Sequence, residues 1–315
     1  MQQRALGATG LKVSRLGLGT MTWGRDTDEH EARDQLIAFA EAGGTLIDTA
    51  AGYGDGASEE LIGTLIGDVV GRDEIVLATK AGISRRTGAR VTDASRGTMI
   101  TTLDASLKRL GVDHVDLWQV HVWVDDTPVE ETLSALDYAV TSGRASYVGI
   151  SNYSGWQTAQ AATWQRAVPG RATLASTQVE YSLLNRGIEH EVVPAAEALG
   201  LGILPWSPLG RGVLTGKYRN GTPADSRAAS PHFGNFVEHY LNDRSHRVVE
   251  AVARAADGLD WTPLEVALVW VRDREGVTAP IVGARTAAQL QGALSTDELT
   301  LPTEIIDALD DVSGE

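Results

Sequence analysis

The chain has 315 residues, 27 Lys and Arg against 42 Asp and Glu, a formal charge of −15 and no cysteine. Without thiols it is neither a disulfide scaffold nor a Cys-ligated zinc or iron–sulfur protein, and an acidic chain with no basic run is a poor nucleic-acid binder. With 43% hydrophobic residues, no apolar stretch near the roughly 20 of a membrane span and no apolar core in the start MQQRALGATG, a folded cytoplasmic protein working off the membrane is expected.

Residues 2–14 read as a β-hairpin turning around Gly7 and Gly10. Leu16–Gly19 is a short strand, and Asp28–Ala42 a helix stopped by Gly43 and Gly44. Leu46–Asp48 is a strand, followed by a helix from Ser58 to Ile66. Ile75–Thr79 and Val115–Val120 are strands on either side of a helix Thr98–Leu110. Pro128–Thr141 is a helix with proline in its first turn. Strand Ala145–Ile150 precedes helix Gly155–Arg166, and strand Ala175–Val179 precedes helix Glu189–Leu199. After strand Gly202–Pro205, residues 208–242 break the rhythm and read as a long loop, functional or mobile by its length. Helices Asp243–Ala256 and Thr262–Asp273, strand Thr278–Val282 and helices Thr286–Leu294 and Thr303–Val312 complete the chain.

The pattern is a hairpin and then eight strand–helix units, with no linker to divide them. Near-continuous apolar strands fit a parallel sheet buried on both faces. A single α/β domain over 1–315 is expected: a (β/α)8 TIM barrel with an N-terminal β-hairpin and extra C-terminal helices. A doubly wound sheet would carry Gly-x-Gly-x-x-Gly after its first strand. Here Gly17-Leu-Gly19-Thr-Met-Thr22 lacks the third glycine.

Barrel enzymes place their chemistry where the strands end. Those ends read Asp48 with Tyr53, Lys80, His121, Ser151-Asn152, Gln178 with Tyr181, Trp206-Ser207 and Gly283 with Arg285. Each alone is bland, because strands leave the core through polar residues. Together they converge on one rim. Asp48, Tyr53, Lys80 and His121 form a proton-transfer set. A tyrosine of ordinary pKa near 10 is a weak acid at neutral pH, and a neighbouring ammonium lowers that value. Lys80 would do this, Asp48 would hold Lys80 charged, and His121 would orient a carbonyl oxygen or complete the proton path. No side chain donates hydride, so a cofactor is implied.

In order along the chain stand Leu46-Ile-Asp-Thr-Ala-Ala-Gly-Tyr53, Val115-Asp-Leu-Trp-Gln-Val-His121, Gly149-Ile-Ser-Asn152, Gln178-Val-Glu-Tyr-Ser-Leu183, Pro205-Trp-Ser-Pro-Leu-Gly-Arg-Gly212 and Ile281-Val-Gly-Ala-Arg-Thr286. This set resembles the aldo-keto reductase superfamily over almost the whole chain. It looks most like the bacterial branches near the potassium-channel β subunits. The resemblance implies an NADPH-dependent reduction of aldehydes or ketones, with Tyr53 as general acid and NADP+ as the oxidised cofactor. It implies that Ser151, Asn152 and Gln178 hold the nicotinamide carboxamide and that Tyr181 stacks on the ring. Ser207, Leu209, Gly210 and Arg211 would line the pyrophosphate with Lys217 nearby, where backbone amides and basic side chains suit phosphates. Arg285, beside Gly283, would pair with the 2′-phosphate, and Gln289 would take part.

Two departures stand out. Gly292-Ala293 occupies the place where many relatives carry Glu-Asn against the adenine. Trp123 follows His121 where proline is common, and with Trp23 it is a candidate substrate-pocket wall. His232, in the long segment, is a lesser pocket candidate; the other histidines read as surface or structural. A small-molecule carbonyl or alcohol is the expected partner, with no metal; a monomer or a larger assembly fits equally. Two rival readings stay open. One is a cofactor-binding regulatory or redox-sensing subunit with little turnover. The other is a barrel hydrolase using Asp48 and Glu180 as paired carboxylates.

Overall fold

The computed structural model describes residues 1–84, 89–219, 221–223, 226–229 and 234–314. Strands β1 (Gln3–Ala5) and β2 (Lys12–Ser14) pair antiparallel. The barrel strands are β3 (Gly17–Gly19), β4 (Leu46–Asp48), β5 (Val76–Ala81), β8 (Val115–Val120), β9 (Ala145–Ser151), β10 (Leu174–Glu180), β11 (Gly202–Trp206) and β12 (Ile281–Gly283). They close in chain order, each parallel to the next, with β12 returning to β3. The (β/α)8 barrel is therefore as expected. Between β5 and β8 lies a small antiparallel hairpin, β6 (Ile83–Ser84) with β7 (Val91–Thr92), which the sequence reading missed.

Helices α1 (Glu29–Glu41), α2 (Ala57–Leu65), α3 (Arg96–Leu110), α4 (Val129–Thr141), α5 (Gly155–Ala167) and α6 (Val192–Ala198) return the chain after successive strands. Between β11 and β12 come α7 (Gly234–Glu238), α8 (Asp243–Leu259) and α9 (Pro263–Arg272); α10 (Ala287–Leu294) and α11 (Thr303–Ser313) finish the chain. Their starts follow local chemistry. Asp28 caps α1 by accepting from the Glu31 N–H. Ser154 with Gln157, and Thr262 with Glu265, form reciprocal capping boxes on α5 and α9.

All six residues of β5 are buried, as a strand covered on both faces requires. One apolar cluster fills the layer between strands and helices, and a second lies inside the barrel. The inner cluster contains Leu46, Leu117 and Leu204 together with Leu6 and Val13 of the leading hairpin, which thus plugs one end. Gly7 makes that plug fit: its φ is +56°, and a Cβ there would lie 2.5 Å from Gly200 O and Gly202 N at the start of β11.

Three boundaries differ from expectation. The strand expected from Thr278 is continuous only from Ile281: Thr278 N–H donates to the Ile203 carbonyl and the Pro280 carbonyl accepts from Gly17, but Pro280 has no N–H of its own to give. The helix expected from Glu189 opens as a 3-10 turn, Gly187–His190, before α6. The segment 208–242 is more ordered than read, with 3-10 turns at Gly210–Thr215 and Arg227–Ala229 and the short helix α7. His232 lies outside the described residues. Among the described residues no helix is long and apolar enough to cross a membrane.

Candidate active site

The register brings the strand ends to a common level. Asp48 lies opposite Gly19 and Ala78, Lys80 opposite Gln119, Ser151 opposite Gln178, and Gly283 opposite Gly19. A chain of polar contacts starts there. Lys80 Nζ donates to Asp48 Oδ2 at 2.6 Å and to the Thr49 carbonyl at 2.8 Å, and stands 3.4 Å from Tyr53 Oη. Gln178 Nε2 donates to Asp48 Oδ1 at 2.8 Å, with Gln119 Nε2 farther away at 3.4 Å. The His121 ring meets the Tyr53 ring edge to face, 5.8 Å between centroids. Tyr53 opens a tight 3-10 turn whose Gly54 and Asp55 adopt φ of +57° and +55° before α2 begins. That turn lifts the phenol over the end of β4.

Electrostatics assign the protonation states. Burial pulls the Lys80 ammonium down, but Asp48 and Tyr53 outweigh it and the pKa is raised. Lys80 is therefore a buried cation. Burial raises the Tyr53 phenol; the opposing pull of Lys80 does not overcome it. The lowered tyrosine pKa expected from the sequence is thus corrected: desolvation beats the ammonium, and Tyr53 is a protonated donor. Burial, then Lys80 and Arg90, holds His121 well below the usual imidazole range, so it is neutral at pH 7.

Above this chain opens a cavity of ≈ 780 Å³, a size typical of ligand sites. Asp48, Tyr53 and His121 line it, as do Ser151, Asn152, Gln178, Ser207, Leu209, Arg211, Lys217, Gly283, Arg285 and Gln289. Lys80 sits behind the wall, 1% exposed. Asn152 ties the rim together at a φ of +57°. Its Nδ2 donates to the His121 carbonyl and to Ser151 Oγ, while its Oδ1 accepts from Trp206 Nε1 at 3.0 Å. Non-glycine residues rarely take this conformation; Ser207 and Arg211 adopt it too, at +52° and +59°. Gln289 Oε1 accepts from the Arg285 N–H, anchoring that loop at the start of α10.

Several expected residues lie elsewhere. Trp23 is 0% exposed and donates from Nε1 to Gln35 of α1, so it packs under the helix and is not on the wall of this cavity. Trp23→Ala is expected to cost about 3–5 kcal/mol of stability, read as a lower Tm, because it empties a large core site. A pocket wall would instead change KM with Tm kept. Trp123 stands outside the cavity, edge-on to Tyr153 and Trp156, with Nε1 held by Asp125. Tyr181 is 2% exposed, donates to Glu189 at 2.6 Å and packs on Trp270. The chain turns outward after Glu180 and carries Tyr181 into the helical layer. Trp206, at the end of β11, lines the cavity instead, stacked on Phe236 of α7. Gly210 also lies off the cavity wall, facing Leu184.

Arg211 lines the cavity, but its guanidinium is bound bidentately by Glu180 at 2.9 and 2.7 Å and lies over the Phe236 ring at 3.8 Å. It clamps α7 to β10, and its charge is compensated before any ligand arrives. The same pair removes Glu180 as a free carboxylate, and Lys80 engages Asp48, so a two-carboxylate hydrolase finds no support. The sequence reading missed Met21, Arg25, Ile83, Arg90, Val122, Leu264 and Val282 on the cavity wall. Strand ends signalled the loops of Met21 and Val122; nothing signalled Leu264, which reaches the cavity from α9.

The residues present fit a dinucleotide. His121 Nδ1 and Gln119 Oε1 are buried without a partner among the described residues, leaving polar capacity at the reacting end. Gly283 is open enough to admit a close ligand, with only Gly19 O within 4 Å of a Cβ built there. Lys217 and Arg285 also line the cavity, and Arg285 directly precedes Thr286, the N-cap of α10.

A closed parallel barrel with this proton chain beneath a long cavity defines a barrel oxidoreductase. The chain belongs to the aldo/keto reductase family, whose model matches residues 15–313. That family generally uses nicotinamide cofactors. The chain is 37% identical to an uncharacterized oxidoreductase, YrpG, of Bacillus subtilis, over 99% of this chain and 96% of the relative. It is 35% identical to a probable voltage-gated potassium channel subunit beta of Oryza sativa, over 99% and 96%. It is 34% identical to an L-glyceraldehyde 3-phosphate reductase of Escherichia coli, over 98% and 92%.

Proposed function

We propose that the protein is an NADPH-dependent reductase of aldehyde or ketone carbonyls, with Tyr53 as general acid. The observation that carries this reading is the Asp48–Lys80–Tyr53 chain at one end of a cavity that reaches Arg285 at the other. The bound cofactor supplies hydride. The chain supplies the proton and the positioning. Tyr53 Oη gives its proton to the carbonyl oxygen, and Lys80, 3.4 Å away, stabilises the phenolate that remains. Asp48 keeps Lys80 charged and aimed. Neutral His121 orients the carbonyl oxygen. Alcohol oxidation runs through the same groups in reverse.

In this reading Trp206 takes the stacking role expected of Tyr181, held in plane by Asn152 and Phe236. Ser151 and Asn152 face the carboxamide, while the Gln178 amide mainly braces Asp48. Lys217 and the backbone around Ser207 and Leu209 take the pyrophosphate. Arg285 takes the 2′-phosphate. Arg285→Ala is expected to weaken NADPH binding about 10–100-fold, the worth of a charge-assisted contact, and NADH binding only slightly. Equal losses in fluorescence titrations would remove Arg285 from that phosphate.

The similarity to potassium-channel β subunits keeps a regulatory reading in play. Turnover separates the two. Tight NADPH binding with no reduction across a broad carbonyl panel would favour the regulatory subunit.

A further inference from the structure

We propose that the substrate carries an anionic group, a carboxylate or a phosphate, beside its carbonyl, and that Arg90 receives it. This rests on the reductase reading above and names its substrate class.

Among the described residues the cavity is lined by Arg25, Arg90, Arg211, Lys217 and Arg285, against the single carboxylate Asp48. In a chain of charge −15 this is a local inversion. The cations are not evenly spread. Arg211 and Lys217 follow β11, Arg285 follows β12 and Arg25 follows β3, which are consecutive strands in the closed barrel. Thr22 and Thr27, flanking Arg25, bond the carbonyls of Ala284 and Arg285, so this arc is continuous. It is the arm assigned to the cofactor phosphates.

Arg90 stands apart. It follows β5 and β6, between the loop of β4 that carries Tyr53 and the end of β8 that carries His121. It directly precedes Val91, which pairs with Ser84 across the β6–β7 hairpin. That hairpin leans on the Tyr53 loop: a Cβ on Gly52 would lie 2.9 Å from Ile83 O. Ile83 and Arg90 both line the cavity. Arg90 is also close enough to help lower the His121 pKa, behind burial and Lys80.

Its bonding state differs from that of its neighbours. Arg211 is paired with Glu180 and Arg25 with Asp26. Arg90 is exposed and makes no hydrogen bond or ion pair among the described residues. A guanidinium on a cavity wall with its donors unspent suits planar, bidentate binding of carboxylate or phosphate oxygens. The carbonyl must sit against Tyr53 and His121, so the anion lies within one side chain's reach of it.

The test uses pairs that differ mainly in charge: 4-carboxybenzaldehyde against the similarly shaped 4-nitrobenzaldehyde, and glyceraldehyde 3-phosphate against glyceraldehyde. At least one anionic member is expected to exceed its neutral partner about tenfold or more in kcat/KM, and the pair that does so tells carboxylate from phosphate. Arg90→Ala is expected to bring that ratio near one by raising KM for the anion, and Arg90→Lys to keep part of it. Arg247→Ala removes an exposed cation on α8 and is expected to leave the ratio alone. A wild-type ratio near one, a ratio that survives Arg90→Ala, or an equal fall in Arg247→Ala overturns the proposal. Calorimetric binding of 4-carboxybenzaldehyde and of glyceraldehyde 3-phosphate to the NADP+-loaded protein, which has no hydride to give them, keeps the two readings apart. Absence of turnover on all four aldehydes sinks the reductase reading, and equal binding of both anions by wild type and Arg90→Ala sinks this one.

Discussion

Tyr53→Phe is expected to lower kcat by about 10²–10⁴-fold, the usual worth of a positioned general acid, while the Kd for NADPH changes little. Lys80 stands 3.4 Å from the phenol oxygen and 5.1 Å from the ring centroid, and phenylalanine keeps the ring for both Lys80 and the edge-on contact with His121. The fold of the site is therefore retained, and stability should barely move. The pH profile carries the same information. A general acid must be protonated, and burial holds Tyr53 above the ordinary phenol value of about 10. Reduction in the wild type should thus stay flat through neutral pH and fall on the alkaline side, as pH rises through that raised pKa. A variant that kept near-normal turnover would remove Tyr53 from the chemistry.

Asp48→Ala is expected to destabilise the protein by about 3–5 kcal/mol and to abolish reduction, because it leaves a buried ammonium without its counter-ion. Lys80 is 1% exposed and has no other carboxylate partner among its contacts. Gln178 also loses its acceptor, so a second buried donor goes unpaired. The double variant Asp48→Ala with Lys80→Met removes charge and counter-ion together. It should cost less than the sum of the single variants, while remaining inactive. Urea denaturation of the four proteins measures this coupling. Additive costs would mean that the pair is not the electrostatic unit described here.

Much of this site was legible in the sequence, for a physical reason. A buried parallel strand must hand the chain to a loop, so the polar residue that ends it is placed by the barrel itself. Asp48, Lys80, Gln178 and Arg285 were found that way, each at or beside a strand end. The misses share a different cause. Trp23 and Tyr181 also follow strands, but whether the chain then turns inward or tucks under a helix is decided by distant packing. Gln35 claims Trp23, and Glu189 and Trp270 claim Tyr181. Arg211 does line the cavity, but its pairing with Glu180, 31 residues earlier, could not be read from the sequence. Arg90 escaped because it lies on a hairpin beyond the strand end, where the period-two pattern is too short to see.

A chain of overall charge −15 thus encloses a cavity whose wall is cationic. Whether Tyr53 protonates a carbonyl is decided by NADPH oxidation in the wild-type protein and Tyr53→Phe, followed by absorbance with 4-nitrobenzaldehyde and 4-carboxybenzaldehyde. The expected result is steady turnover by the wild type and loss of turnover, with cofactor binding intact, in the variant. Tight NADPH binding by both proteins with no oxidation by either would contradict it.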